Sequence, residues 1–590
     1  MKKKTLFLSL MAALMFSACS RDEDTTGSNG PDGEATTSYL TVNLVAAPNM
    51  GTRATGDKEN YEDGTANENK VTSVRFYFFD ASSKAAPVKQ NAQQGYDNYY
   101  DWSVDDDEST GSDAPNVEKK LKATLIIKSP KSAEDKMPAS VVAVINPPVG
   151  LPTDVASLED LNKITADYSA LSNNNFVMSN SVYADGTTKM EAVNVSGHIC
   201  PTEAAALKDP VVIYVERVLA KVRLDVADLT GQIKDVNYGG ETFTIYPTST
   251  NDKEQKFENK DIYVRFLGWN VTATADKSHL MKSIDPTWPD NLFGASEPWN
   301  FDAYFRSFWA INPTGGVNYG YGPFNTADDN TRANLKNFAD ANYTYVQENA
   351  AETTGAASKT KTPTQVIIAA QLVDNAGKPM EFAEWAGEKY SVDDLMVELA
   401  DHASLYKEDQ VPDPENPGKT KLGRRKVLPT EIELKTATEV NGEPQKTQPG
   451  RYYVYAQLKQ SEFGGNNKWF KDTEMGNGTT ILPSPQITNI DEANEQLEAA
   501  GHAKVWKSGM TYYYFDIEHL GEEGKPGEYG VVRNHLYNAN ITKIAGLGTP
   551  VYNPDEDIYP EKPEDDDQYI AAEINILSWR LVPNDVVLEW

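Results

Sequence analysis

"SYLTVNLVAAPN", residues 38–49, alternates Leu40, Val42 and Leu44 with Thr41 and Asn43. Alternation of period two puts the three aliphatic side chains on one face, the pattern of a strand with one side in a core. "MGTRATGD", residues 50–57, follows at once and sets Arg53 among small residues with no apolar period. Exposed loops of this composition are where proteases nick a chain, because the backbone can be drawn into a cleft. Together the two read as a removable strand on a tether that can be cut after Arg53, making Ala54 the new N-terminus; Lys58 is a weaker site. Comparable strand signals recur: "VTSVRFYFFD", "ASVVAVIN", "DPVVIYVERVLAKVRLDV", "DIYVRFLGWNVTAT", "TQVIIAAQLV", "MTYYYFDIE" and "NHLYNANITKI". Rich in Val, Ile, Tyr and Phe and bounded by Gly, Pro, Asn and Asp, they predict a mainly β protein of antiparallel sandwiches. Helices are expected only in short pieces, in "SLEDLNKITADYSAL", "TRANLKNFADAN" and "DEANEQLEAAG".

The chain has 590 residues and a formal net charge of −32. Nucleic-acid affinity comes mainly from cationic neutralisation of phosphates, so this surface argues against nucleic acid and anionic membranes as partners. Residues 1–19 read as a signal: three lysines, an apolar run from Leu6 to Phe16, then small residues. The run is shorter than the roughly 20 residues that span a bilayer. "FSAC" resembles the lipobox of bacterial lipoproteins, which makes Cys19 the lipidated (palmitate-bearing) residue. The acidic "RDED" after it resembles the tag that sends such lipoproteins to the surface of some Gram-negative anaerobes. Cys200 is then expected to be an isolated small core residue, with no disulfide in the mature protein.

Residues 20–53 form a propeptide: a polar tether, then the removable strand. Two β-rich lobes follow, 54–235 and 236–550, dividing near 228–242. Residues 551–570 are a Pro-rich acidic linker, extended and solvated. The last stretch, 571–590, is strongly apolar; Ile574 and Ile576 continue one phase, Trp579 and Leu581 the other, and Val586 and Leu588 alternate again after Pro583. A phase switch near Leu577 predicts a bulge or a strand buried on both faces, with two docking registers open. Losing the first strand would open an apolar groove lined by unpaired backbone groups, which favours pairing with another chain. A terminal strand on a polar leash can reach such a groove in a second copy, and a head-to-tail contact of that kind builds filaments. An ordinary first strand, with a tail that pairs inside its own domain, fits the alternation equally well.

The ordered set of Cys19, "SYLTVNL", "GTRA", "VERVLAKVRL", "VVRNHLYNANITKI", the acidic linker and "EINILSWRLVPNDVVLEW" resembles the Mfa-type fimbrillins, shaft subunits of type V pili. The likeness runs over nearly the whole chain, with residues 300–450 loosely matched. It implies two transthyretin-like β-sandwich domains with an extended C-terminal donor strand. It also implies a lipoprotein precursor carried to the outer membrane and cell surface, an Arg-specific protease acting at Arg53, and polymerisation by donor-strand exchange. The implied partners are other copies of the chain, accessory anchor and tip subunits, and host or bacterial surface ligands. The implied roles are adhesion, biofilm formation and virulence.

No catalytic or metal constellation stands out: the six histidines lack metal-site spacing, "NPGKTK" has Asp413 where a phosphate loop needs its first glycine, and no cofactor is called for. The acidic runs at 105–108 and 563–567 are solvated charge or, less simply, weak calcium sites. Two rival readings remain. One is a tip or accessory subunit of the same pilus. The other is a surface lipoprotein that binds glycans through the aromatic-rich stretch 299–324, whose rings serve equally well to pack two lobes together.

Overall fold

The computed structural model describes residues 36–46, 64–65, 67–90, 95–104, 109–110, 120–129, 136–169, 175–185, 188–226, 233–250, 253–254, 256–286, 300–301, 306–307, 309–314, 317–318, 343–352, 362–441, 452–471, 475–476, 480–481, 485–519, 527–555, 558, 570–577 and 581–582. Cys19, Arg53, Ala54, Trp579, Val586 and Leu588 lie outside them, as do the acidic runs and the helix expected in 331–342. The fold is mainly β, as the alternation predicts.

Seven strands make up most of the first sheet: β1 (Thr36–Ala46), β2 (Ser73–Phe79), β3 (Tyr99–Ser103), β4 (Lys120–Ser129), β5 (Ser140–Ile145), β6 (Met178–Asn180) and β7 (Val211–Arg217). Their order is β3-β2-β5-β6-β7-β1-β4. Phe76 and Phe78 from one end of this order and Leu125 and Ile127 from the other fall in one apolar core, with Leu40 and Val42 of β1 among them.

The run "VVIYVERVLAKVRL" is not one strand. It breaks at Val218, whose N–H donates to Val177 O (3.1 Å), and continues as β8 (Leu219–Asp225) in a second lobe. The chain therefore passes between lobes inside an unbroken β-prone run, where no turn residue marks the passage. The second lobe adds β9 (Tyr263–Thr272), β10 (Tyr343–Gln347), β11 (Gln365–Val373), β12 (Met510–Asp516), β13 (Leu536–Ile544), β14 (Ile570–Leu577) and β15 (Leu581–Val582). One sheet runs β10-β8-β13-β14-β15; the other is built on β9-β11-β12. Val222 and Ile541 of the first sheet and Trp269 and Ile368 of the second share one core, so this lobe is a β-sandwich. Two ladders depart from the antiparallel expectation: β1 with β7, and β8 with β13, are parallel.

Between β11 and β12 the chain builds a third core, holding Leu395, Leu399, Ile432, Val454, Trp469 and Leu497. Two helices cover it. Val392–His402 is capped by Ser391, whose side chain accepts from the Asp394 N–H, and Ile490–Glu498 is capped by Asn489. Cys200 is wholly buried and disulfide-bonded, so it is not the isolated core residue that was expected.

Candidate functional site: the slot occupied by the first strand

β1 is an interior strand. On one side it pairs antiparallel with β4 over its length, Leu40 facing Leu125, Val42 facing Ala123 and Leu44 facing Leu121. On the other it pairs with β7 from Val42 onward, Val42 facing Val211 and Leu44 facing Ile213. Nearer its start that side is closed by Cys200: the Tyr39 N–H donates to Cys200 O at 2.7 Å and the Cys200 N–H to Tyr39 O at 2.8 Å. Leu40 and Val42 are fully buried. Each such side chain is worth about 1.5–3 kcal/mol of burial, and without β1 both neighbours would show unpaired backbone groups.

The stretch that carries Arg53 lies between two anchors on β7. Upstream, Ala46 is the ladder partner of Val215. Downstream, the Glu68 carbonyl accepts from Arg217 Nε at 3.1 Å, and Asn69 Oδ1 accepts from the same guanidinium. Residues 47–63 thus leave and rejoin the molecule near points two residues apart on one strand.

Glu68 is wholly buried and fixes the downstream anchor. Its carboxylate takes Lys221 Nζ at 3.0 Å, the Tyr345 hydroxyl at 2.5 Å and the Thr65 N–H at 2.5 Å. Burial pushes this carboxyl up, but the Tyr345 hydrogen bond, the Lys221 charge and the Thr65 N–H together hold it below its ordinary value of 4.5. Two more buried ion pairs lie where the lobes meet: Lys282 with Glu216 at 3.1 Å, and Arg533 with Glu348 at 3.2 Å. Arg533 also donates to the carbonyls of Leu280 and His279. Removing one partner of such a pair strands a buried charge, so these contacts hold one lobe arrangement.

At the other end of the chain, β14 pairs antiparallel with β13 from Leu536↔Leu577 to Ile544↔Ile570. β15 folds back on β14, with Ile576 facing Val582 and Leu577 facing Leu581. Ile574, Ile576 and Leu581 are therefore placed in the tail-bearing sheet of their own lobe, and the register shift of this ladder lies between Ile541 and Lys543 on β13, opposite Ala572 and Ala571 and away from Leu577. The aromatic stretch is described at few positions. One of them, Trp309, is fully buried and lies against His519, its ring centroid 5.5 Å away, which is a packing role. Among the described residues no group of three or more His, Cys, Asp or Glu could hold a metal ion.

Residues 504–585 match the family described as major fimbrial subunit protein type IV, fimbrillin, C-terminal. The match covers β12 to β15 and agrees there with the resemblance to fimbrillins read from the sequence. Solved structures similar to the chain include a fimbrilin from Porphyromonas gingivalis, at 14% identity over 94% of this chain and 99% of that chain with a TM-score of 0.34. A second is the tip fimbrial protein Mfa3 of the same organism with C-terminal truncation, at 12% identity over 92% and 100% with a TM-score of 0.28. A third is a fimbrial assembly protein from Parabacteroides distasonis, at 12% identity over 60% and 93% with a TM-score of 0.26. No curated protein matches the chain.

Proposed function

We propose that the chain is a non-enzymatic structural subunit of a bacterial surface fimbrium, polymerising by strand replacement after proteolysis at Arg53. The observation that carries this reading is the placement of β1: an interior strand with Leu40 and Val42 fully buried, which precedes Arg53 in the sequence. Once the chain is cut downstream of an interior strand, its covalent link to the residues that follow is gone, and its ladders and core contacts remain to hold it. Its loss leaves a slot with two aliphatic walls that another strand can fill. The fimbrillin match over residues 504–585 supports a fimbrial role, and with it a place at the cell surface among other fimbrial components. The shaft position, the accessory anchor and tip partners, and roles in adhesion and biofilm formation follow from the same reading. Export as a precursor lipidated at Cys19 belongs to it too.

The first test is the N-terminus and intact mass of protein sheared from producing cells. Ala54 as first residue, in assemblies that resist dissociation without heating, is the expected result. Acylated monomers that begin at Cys19 would return the reading to a glycan-binding lipoprotein. Arg53→Ala is expected to trap the precursor.

A further inference from the structure

We propose that residues 196–209 form a strap across β1 that must open before the strand can leave its slot. This rests on the strand-replacement reading and goes past it by naming the segment of the first lobe that controls the exchange.

β7 flanks only the later half of β1, since its first residue, Val211, stands opposite Val42. Ahead of that level the same flank is held by a segment outside the long strands. It leaves the side of β5, where Val193 faces Val141 and the Val195 N–H donates to Ala139 O at 2.8 Å. It turns at Gly197, whose φ of +88° lies in the left-handed region that favours glycine. From there it runs beside β1 at Cys200, forms the short helix Glu203–Ala206 against β1, and enters β7.

The strap is fastened twice. On β1, Cys200 and Tyr39 exchange both backbone hydrogen bonds. Thr41 stands on the face opposite Leu40 and Val42 yet is 0% exposed, with the helix Glu203–Ala206 packed on its strand. That cover is local, because on the neighbouring strands Ile126 is 44% and Val212 40% exposed. To itself, the strap is closed by His198, whose Nδ1 lies 3.0 Å from Asp209 Oδ2 and 3.3 Å from the Asp209 carbonyl oxygen. A carbonyl only accepts, so Nδ1 carries the hydrogen and donates it. These two residues sit near the strap's ends, and about a third of each side chain is exposed, so this buckle can be removed without opening the core.

After a cut at Arg53, β1 can peel from either end. From Ala46 it unzips from β4 and β7 together as far as Val42 and then meets the strap. From Thr36 it leaves β4 alone until Tyr39, where the strap holds it. Both routes break the Tyr39–Cys200 pair and uncover Thr41. The strap itself has less to lose than the strand: Pro201, Thr202, Glu203 and Ala204 are exposed, and its helix is a single turn. Segments with few buried contacts open at lower free energy than core strands, so the strap lifts while β1 stays on β4.

The test is amide hydrogen exchange read at single residues by mass spectrometry, with reductant present so that the strap is held by its non-covalent contacts alone. Successive amides of a strand point to opposite flanks, so the Tyr39 N–H faces the strap and the Leu40 N–H faces β4. In the uncut chain the Tyr39 and Cys200 amides are expected to exchange together and faster than that of Leu40. Equal rates for Tyr39 and Leu40 mean that strap and strand open as one unit, and overturn the proposal. His198→Ala should speed Tyr39 and Cys200 about three- to tenfold, the effect of losing one hydrogen bond, and leave Leu40 and Phe76 unchanged. After cleavage at Arg53, the same variant should shed the fragment that ends at Arg53 faster by the same factor. Shedding at the unmodified rate while Tyr39 exchange is accelerated overturns the strap's control. Gly197→Ala is a second variant: open space surrounds the added methyl group, so its cost falls on the strap's backbone, and it should act in the same direction. If the unmodified chain never sheds the strand after cleavage, strand replacement falls and the strap's control with it; exchange in the uncut chain is read before any cut, so the two failures are told apart.

Discussion

β1 and β14 stand near opposite ends of the chain and both read as alternating apolar strands, yet the fold treats them differently. β1 lies inside its sheet, with β4 along one side, β7 and Cys200 along the other, and Leu40 and Val42 fully buried. β14 lies toward the margin of its sheet, with full-length β13 on one side and the two residues of β15 on the other. The strand read as removable lies inside its sheet, and the strand near the other end of the chain lies toward the margin of its own. A slot between two strands is costly to empty, because both neighbours then show unpaired backbone groups, whereas a strand near the margin leaves fewer behind it.

The largest expected effect breaks the symmetry outright. A chain that starts at Ala54, held dilute and monomeric, lacks β1 and exposes the aliphatic walls of the slot; its first lobe should lose cooperative melting while the second keeps it. A chain without residues 583–590 should keep two cooperative lobes and form no filaments. Calorimetry on both, with electron microscopy, checks the pair; equal stability loss in the two would erase the distinction between interior and marginal strands.

The next effect sharpens what holds the new N-terminal segment. Glu68→Ala leaves Lys221 buried without its carboxylate partner, a loss of about 3–5 kcal/mol for a broken buried pair. Denaturant titration should show it as destabilisation of the joint between lobes. The double variant Glu68→Ala with Lys221→Met should recover part of the loss, since it removes the stranded charge.

How much of this was legible beforehand depended on what each residue pattern can signal. Leu40, Val42 and Leu44 marked β1 because a half-buried strand must alternate, and the order of strands inside a sheet has no such local mark. That β1 is interior, and parallel to β7, follows from pairing across more than 160 positions of sequence. The passage between lobes at Val218 was hidden because both halves of the run are buried strands. The third core was missed although its helix carried a signal: Ser391 three residues before Asp394, then Leu395 and Leu399 four apart. Glu68, the anchor of the tether, looked like one of many acids in a polar stretch; only the fold brings Lys221 and Tyr345 to it.

The smallest expected effect is one of pH, and it separates the two lobes by sign. Glu68 in the first has its folded value lowered. Its contribution is complete above the ordinary 4.5 and is lost as pH falls through the folded value, so the anchor weakens only in acid. Glu518 in the tail-bearing lobe is shifted the other way: burial, then the charges of Glu528 and Asp516, raise it to about 7. The fold there prefers the neutral carboxyl, so the contribution is complete below 4.5 and is lost as pH rises through about 7. Glu518→Gln mimics the neutral form. It should raise the melting temperature of the second lobe less at pH 5 than at pH 8, with no change in the first lobe at either pH. An increase of the same size at pH 5 would mean that the variant acts through packing and not through the charge.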